Sequence, residues 1–405
     1  MRKLLLSIVI LLSLSACNKE SADIGIVPED YDLTAAIESL PQKVQTLEEA
    51  IQTDDRDSII RSLEHDKADP NQKTADGEPL LTLAVRNDSA FAVERLLAAG
   101  ANVNELDKEY GITALMVASQ DGHMDIVKIL LAAGANTNVG DKTDNLTALM
   151  IASRNGYTDI VKALLAAGAN VNERTHRGLS ALMNASEYGH LDIVKALLAA
   201  KADVNAASYG GQTSLMFASN HGYTDIMETL LKVGANVNLV DKKGWTALMI
   251  ASQAGQADTV KKLLAAGSDA NHKTANGNWT ALMSASLNGH IAVVKILLEA
   301  GANVNEIDEK EGITALMLAS QDGHTEVVKI LLANGANVNI GDKNNNITAL
   351  MISSMNGYTD IVKMLLSAKA NPNIKDKNGK TALKFAKEAE NEEIIQLLKK
   401  AGAEE

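Results

Sequence analysis

From about position 44 onward, apolar and polar residues follow one pattern that repeats at a nearly constant interval. The motif Thr-Ala-Leu-Met, or a close variant of it, opens nine successive copies. These copies begin at Thr113, Thr147, Ser180, Thr213, Thr246, Thr280, Thr314, Thr348 and Thr381. Pro79 stands one interval before Thr113 and opens an earlier, divergent copy. The interval is about 33 residues, which is typical of a helical solenoid.

Each copy predicts two short helices, as residues 145–172 illustrate. Thr147 is a favourable N-cap for a first helix whose small apolar residues allow close packing. Gly156 ends that helix, and Asp159 then lies in the first turn of a second helix, where its charge suits the helix dipole. Gly168 supplies the left-handed residue that often follows a helix. A polar turn then leads to the next copy.

The motif T-x-L-x-x-A followed by G-H/Y-x-D-I-V-x-x-L-L-x-x-G-A-N-V-N resembles the ankyrin repeat over residues 44–402. The resemblance implies an all-α ankyrin-repeat solenoid of ten to eleven helix-turn-helix units with β-turn fingers. We expect a degenerate N-terminal capping repeat at 44–76, repeats at 77–377 and a C-terminal capping repeat at 378–405. The family's T-P-L-H is T-A-L-M here, and Lys201 and Lys369 replace the glycine at two helix ends.

Part of the array also repeats on a longer scale. The stretch "ITALMVASQDGH" at 112–123 returns as "ITALMLASQDGH" at 313–324, which is six units later. This offset indicates that the array grew by copying a block of units. The repeated residues are therefore interpreted as packing residues.

The N-terminus has the pattern of a bacterial lipoprotein signal. Arg2 and Lys3 precede the apolar run 4–14, which is too short to span a bilayer as a helix. The run ends in Leu14-Ser15-Ala16-Cys17, which resembles a lipobox. The resemblance implies removal of a signal peptide at 1–16 and lipidation of Cys17. An ordinary secretory signal with a chance cysteine is the alternative.

Lipidation of Cys17 implies a location at the bacterial cell envelope. Residue 18 is Asn rather than Asp, which in Gram-negative lipoproteins favours the outer membrane, facing the periplasm. Residues 17–43 are interpreted as a tether, with a short helix from about Leu33 to Leu40. Contact with the membrane is expected through the N-terminal lipid only.

Composition narrows the range of partners. The formal net charge is −13 and no cluster of basic residues is evident, which argues against a nucleic-acid partner. Aromatic residues make up only 3% of the chain, which is sparse for a protein that binds by stacking on bases. Cys17 is the only cysteine, so no disulfide within the chain is possible.

Two recurring residue types could suggest metal binding, and both are better explained as structural. One type is a methionine that recurs once in each of eight units. Neighbouring units stack about 8–10 Å apart, so the sulfurs of two such methionines cannot share one metal ion, which would hold each sulfur at about 2.3 Å. Four histidines stand where three other units have tyrosine, so that position accepts either ring. The methionines that occupy one register are Met116, Met150, Met183, Met216, Met249, Met283, Met317 and Met351.

No catalytic motif or nucleotide-binding glycine motif appears in the sequence. Asp and Ser recur in every unit at cap positions, whereas a catalytic residue should occur once, where the pattern breaks. We therefore expect a protein that is not an enzyme and that needs no cofactor or metal.

The positions that vary between units are the candidate binding residues. In ankyrin proteins the matching positions line the concave groove and contact the partner. One set precedes the first helix of each unit: Ile112, Leu146, Leu179, Gln212, Trp245, Trp279, Ile313 and Ile347. The other set ends that helix: Arg154, Tyr188, His221, Leu287 and Met355.

Trp245 and Trp279 are the only tryptophans and belong to adjacent units. Tryptophan is enriched at binding hot spots. In that role both rings are expected to be exposed until a partner covers them. The alternative is that both rings pack between neighbouring helix hairpins.

These expectations combine into a lipid-anchored, monomeric scaffold that binds a protein in its concave groove. Ten units at about 10 Å each would make an arc near 100 Å, long enough to wrap a folded domain. An inhibitor of a periplasmic toxin, an accessory factor for an envelope enzyme such as a catalase, and a structural bridge are the alternatives within this class.

Overall fold

The structure is a computed structural model that describes residues 45–404. The predicted signal peptide, the lipidation site Cys17, the tether and the short helix at 33–40 lie outside the described residues. From Leu47 onward the chain forms one compact unit.

Over the described part of the chain, twenty-two α-helices form eleven consecutive pairs, and the predicted all-α solenoid is confirmed. Between residues 45 and 404 the only β-type pairing is a set of isolated bridges in the turns. The helices are α1 Leu47–Gln52, α2 Arg56–Ile60, α3 Leu80–Arg86, α4 Ala90–Ala98, α5 Ala114–Asp121, α6 Met124–Ala132, α7 Ala148–Asn155, α8 Thr158–Ala166, α9 Ala181–Glu187, α10 Leu191–Ala199, α11 Ser214–His221, α12 Thr224–Lys232, α13 Ala247–Gln253, α14 Ala257–Ala265, α15 Ala281–Leu287, α16 Ile291–Glu299, α17 Ala315–Gln321, α18 Thr325–Ala333, α19 Ala349–Met355, α20 Thr359–Ser367, α21 Ala382–Glu388 and α22 Glu392–Lys400.

Each pair is called a unit here, and the units are numbered 1 to 11. In unit 1, α2 continues as a π-helical turn over Arg61–His65. The first helix of each unit packs against the first helices of its neighbours, and the second helices pack in the same way. No helix within residues 45–404 combines the length and the apolar character that crossing a bilayer requires.

The first helix of a unit begins where the sequence predicts. Thr113 Oγ1 accepts a hydrogen bond from the backbone N–H of Met116 at 3.2 Å. The equivalent hydroxyl makes the same bond in seven further units, through Thr147, Ser180, Thr213, Thr246, Thr280, Thr314 and Thr348. Such a bond satisfies one backbone donor that the first helical turn leaves open.

The eight methionines of the shared register are core residues, as predicted. Their side chains are between 0% and 2% exposed. Seven of them, all except Met183, belong to one apolar cluster with residues of the second helices, such as Ile160, Val161 and Leu164 of α8. One hydrophobic core therefore runs through all eleven units.

The position that accepts histidine or tyrosine joins each unit to the one before it. His190 Nε2 lies 2.9 Å from the backbone oxygen of Arg154. A Cβ atom on Gly156 would lie 2.7 Å from the His190 ring, and one on Gly122 would lie 2.8 Å from Tyr157. Glycine is needed there because the ring of the next unit occupies the space, which confirms the structural role of these rings.

Asparagine side chains form a second link between units. The Asn205 Oδ1 atom accepts the backbone N–H of Asn236 at 2.8 Å, and its Nδ2 atom donates to the Gly234 oxygen at 3.2 Å. The first of these bonds recurs at all ten junctions, from Asn71–Asn102 to Asn373–Glu404. We call this row of bonds the asparagine ladder. It holds each unit at one distance from the next.

A column of serine hydroxyls runs through the first helices of the units, and these hydroxyls have no hydrogen-bond partner among the described residues. One serine in the first helix of each of eight units is fully buried. Their Oγ atoms make no hydrogen bond to any described residue. The column consists of Ser119, Ser153, Ser186, Ser219, Ser252, Ser286, Ser320 and Ser354.

Lys201 and Lys369 occupy the left-handed position at the helix end, with φ of 68° and 65°. Eight other units have glycine there: Gly100, Gly134, Gly168, Gly234, Gly267, Gly301, Gly335 and Gly402. A Cβ on any of these glycines would meet nothing within 4 Å. The lysines are therefore penalised by their backbone conformation and not by crowding.

We predict that Lys201→Gly raises the free energy of unfolding by a few tenths to about 1 kcal/mol, because glycine adopts positive φ without strain. The denaturant midpoint measures the change. The reverse change Gly168→Lys is the matched control and should lower the midpoint by a similar amount. A lower midpoint for Lys201→Gly would contradict the strain argument.

Candidate protein-binding cleft

The segment before each first helix forms a tight turn, called a finger here and numbered by the unit that it precedes. Fingers 4 to 7 are residues 138–146, 172–179, 205–212 and 238–245. In finger 4 the Leu146 N–H donates to Asp141 Oδ1 at 3.0 Å, and the Asp141 N–H donates to the Leu146 oxygen at 3.1 Å. The same closure occurs at Leu179, Gln212 and Trp245. The predicted binding residue before each helix is thus held at the base of a finger.

The Asp141 carboxylate stabilises this turn in its ionised form. Burial raises the pKa of the carboxyl, but hydrogen bonds from the Asp144 N–H and the Thr143 hydroxyl lower it by more. The pKa of Asp141 therefore lies below its ordinary value. Its contribution to stability is fully present above the unfolded-state pKa and is lost as the pH falls through the folded-state pKa.

Backbone hydrogen bonds join the tips of the fingers into one continuous rim. The His176 N–H donates to the Asp144 oxygen at 2.8 Å. The Tyr209 N–H donates to the Arg177 oxygen and the Lys242 N–H to the Gly210 oxygen, both at 2.9 Å. These bonds run from finger 4 to finger 7 and fix the tips relative to one another.

A cleft of about 570 Å³ lies between this rim and the first helices of units 4 to 6. Five of the predicted binding residues line it: Leu146, Arg154, Leu179, Tyr188 and Gln212. The other lining residues are Thr175, His176, Arg177, Asn184, Glu187, Ser208, Tyr209, Gly210 and Phe217. The variable positions of three consecutive units thus converge on one concave site.

The cleft exposes two tyrosines and one unpaired arginine. Tyr188, at the end of α9, is 50% exposed, and Tyr209, in finger 6, is 61% exposed. Arg154 is exposed and pairs with no carboxylate of residues 45–404. Tyrosine and arginine are both enriched at the energetic centres of protein interfaces.

Arg177 is fixed in place by an ion pair. Its Nε atom and one terminal nitrogen each lie 2.8 Å from Asp144 Oδ2. The hydrogen bond to Asp144, together with its charge, raises the pKa of the Arg177 guanidinium. The pair braces finger 5 against finger 4, so Arg154 is the cation of the cleft that is free to meet a ligand.

Apart from His221 of unit 6, the remaining predicted residues lie in units that do not form the cleft. Ile112, Ile313 and Ile347 are half-buried at the bases of their own fingers. His221 is exposed at the end of α11, and its ring stacks on Tyr223 with 5.6 Å between centroids. Leu287 is half-buried, and Met355 is 49% exposed. None of these side chains lines the cleft.

Nine lining residues were absent from the sequence-based set, among them Arg177, Asn184, Tyr209 and Phe217. Asn184 and Phe217 follow the core methionine in their helices, and Arg177 and Tyr209 lie at finger tips. Asn184 is only 5% exposed and donates to the Met150 oxygen at 3.4 Å. The residue that follows this methionine is apolar in every other unit that has one except unit 8, which has serine, so this break in the pattern was the available signal.

The expectation that both tryptophan rings are exposed is wrong. Trp245 and Trp279 are half-buried and pack against the core. The Trp279 Nε1–H also donates to Ser284 Oγ at 2.8 Å, within its own unit. Both rings lie in units 7 and 8, outside the cleft.

Stacked helix pairs joined by fingers define a helical repeat solenoid. The family described as "Ankyrin repeats (3 copies)" matches residues 47–141, 134–208, 207–274, 248–342 and 316–405. The chain belongs to the ankyrin-repeat family, and its class indicates a protein-interaction module.

Among solved structures, the human ASB11 ankyrin repeat domain is similar to this chain, with a TM-score of 0.51 and 29% sequence identity. The match covers 56% of this chain and 99% of that one. No curated protein matches the chain. Within residues 45–404, no three His, Cys, Asp or Glu side chains are grouped so that they could hold a metal ion.

We predict that Trp279→Ala lowers the free energy of unfolding by roughly 2 kcal/mol, from lost apolar burial and one lost hydrogen bond. Ser284→Ala removes the acceptor of that bond and the hydroxyl's own donation to the Thr280 oxygen at 3.2 Å, and should cost about 1 kcal/mol or less. In a Trp245→Phe background, Trp279 fluorescence should shift to longer wavelength and be quenched more readily by acrylamide on unfolding. Equal quenching in the folded and unfolded chain would show that the ring is exposed.

Proposed function

We propose that this protein is a scaffold at the bacterial envelope, anchored by a lipid on Cys17, and that a partner protein binds in the cleft of units 4 to 6. The observation that carries the binding site is the convergence of Arg154, Tyr188 and Tyr209 on one concave surface. The observation that carries the anchor is the lipobox-like sequence that ends at Cys17.

A rigid rim suits recognition of a protein segment. The Arg177–Asp144 pair and the backbone bonds between fingers hold the cleft in shape before a partner arrives. Binding then costs little ordering of the scaffold, and more of the interaction energy is retained as affinity. The cleft is open and edged by exposed tyrosine and arginine. A small-molecule pocket is usually more enclosed and more apolar.

The identity of the partner decides among the narrower functions. A secreted toxin would indicate an inhibitor, an oxidative-stress enzyme such as a catalase would indicate an accessory factor, and several weakly bound envelope proteins would indicate a structural bridge. All three use the same cleft and the same lipid anchor.

We predict that a photo-crosslinking amino acid in place of Tyr209 captures one specific protein in the native host, identified by mass spectrometry. The same group in place of Tyr110 is the matched control, because Tyr110 is an exposed tyrosine of finger 3 (residues 104–112) that does not line the cleft. Adding Arg154→Ala and Tyr188→Ala to the Tyr209 variant should abolish capture, because they remove the cleft's free cation and one of its aromatic contacts. Equal capture from positions 110 and 209 would contradict the assignment of the cleft.

We predict that Cys17→Ser moves the protein from the membrane fraction to the soluble fraction, because the acceptor of the lipid is lost. Metabolic labelling with an alkyne-bearing palmitate should disappear in the same variant. Density fractionation of a Gram-negative host should place the wild-type chain, which keeps Cys17, with the outer membrane. Labelling that persists in Cys17→Ser would disprove the lipid anchor and leave the cleft untouched.

A further inference from the structure

The fingers differ in charge along the array, although the chain as a whole is acidic. Fingers 5 to 8, with finger 8 at 271–279, contain five basic residues and two acidic ones. Fingers 3, 4 and 9, at 104–112, 138–146 and 305–313, contain three basic residues and nine acidic ones. The middle of the finger row is therefore a basic surface between two acidic ones.

Four cations of this region have no carboxylate partner among residues 45–404. Arg174 is half-buried and donates to the Ala207 oxygen at 2.8 Å, which leaves Arg154, Lys242 and Lys243 as the exposed ones. The nearest acid in sequence to the two lysines is Asp241, whose carboxylate accepts the backbone N–H groups of Lys243 and Trp245 at 2.8 and 2.9 Å. Asp241 is thus occupied by the turn. The side chains of Lys242 and Lys243 are both exposed.

Arg154 lines the cleft, and the two lysines lie close to its other end. The Lys242 N–H binds the oxygen of Gly210, which lines the cleft, so the lysine pair lies immediately beyond its rim. Arg154 belongs to unit 4 and the lysines to finger 7. At about 10 Å per unit the separation is roughly 30 Å. An extended chain of about nine residues spans that distance.

We infer that the partner presents an acidic, extended peptide segment to this cleft. One carboxylate of the segment pairs with Arg154 and another with Lys242 and Lys243. An apolar side chain between them packs against Tyr188 and Tyr209. The inference rests on the proposed function and adds the chemistry of the partner to it.

A protein segment fits this surface better than a nucleic acid does. The free cations are few and widely spaced, whereas phosphate backbones are bound by many closely placed Lys and Arg side chains. Glu187 also lines the cleft and would repel a continuous polyanion. A peptide can place its carboxylates at the two cations and an uncharged residue beside Glu187.

The test is selection of random twelve-residue peptides displayed on phage against the full chain, followed by affinity measurement with the enriched synthetic peptides. We expect sequences with acidic residues toward both ends and an apolar residue between them. Arg154→Gln, and the double change Lys242→Gln with Lys243→Gln, should each weaken binding about tenfold. Lys310 is an exposed lysine of finger 9, and Lys310→Gln is the matched control that should leave the peptide affinity unchanged. Affinity should also fall as ionic strength rises.

The possible outcomes separate the two claims. Neutral or basic peptides that lose affinity with Tyr188→Ala would overturn the acidic-segment inference and leave the cleft as a protein-binding site. Peptides indifferent to both Tyr188→Ala and Tyr209→Ala would overturn the cleft itself. Stronger binding of a single-stranded oligonucleotide, or of phosphatidylglycerol vesicles, that depends on Arg154 would replace the peptide with another anion.

Discussion

The asparagine ladder is the constraint on which the rest of the array depends. Each ladder side chain accepts a backbone N–H from the next unit, and in several units, Asn205 for example, it also donates to that unit's helix end. One residue thereby satisfies two backbone groups of its neighbour, which fixes both spacing and orientation. The ring-over-glycine contact of His190 on Gly156 repeats the constraint on the other side of the helices. Because the links are local, every unit depends only on its neighbours.

This fixed frame leaves a small set of positions free to vary, and the cleft is built from them. The asparagine ladder does not constrain three sets of positions: the finger tips, the residue before the first helix and the residues at the end of that helix. In units 4 to 6 these positions hold Arg154, Tyr188 and Tyr209, and the rim holds them close together. The variation also reaches a buried helix position, where Asn184 replaces a residue that is apolar in almost every other unit. Specific chemistry is therefore concentrated where the repeat pattern is weakest.

Local chemistry accounts for what could be predicted from the sequence. Thr147 caps its helix through an atom three residues away, and the methionines are buried because the same register is buried in each unit. The cleft was only partly predictable. Contacts between units decide which finger tip lies over which helix, and Tyr209 lines the cleft through such contacts. Trp279 was misjudged for a similar reason: its acceptor, Ser284, becomes a partner only once the finger has closed onto the helix.

The column of buried serines makes the length of the array a poor guide to its robustness. Eight of the eleven units contribute apolar packing and links to their neighbours, yet each of them also buries one serine hydroxyl that makes no hydrogen bond to a described residue. Copying a block of six units multiplies both the gain and the defect. Each end unit is held by one neighbour only, so separation from the stack begins at the ends of the array.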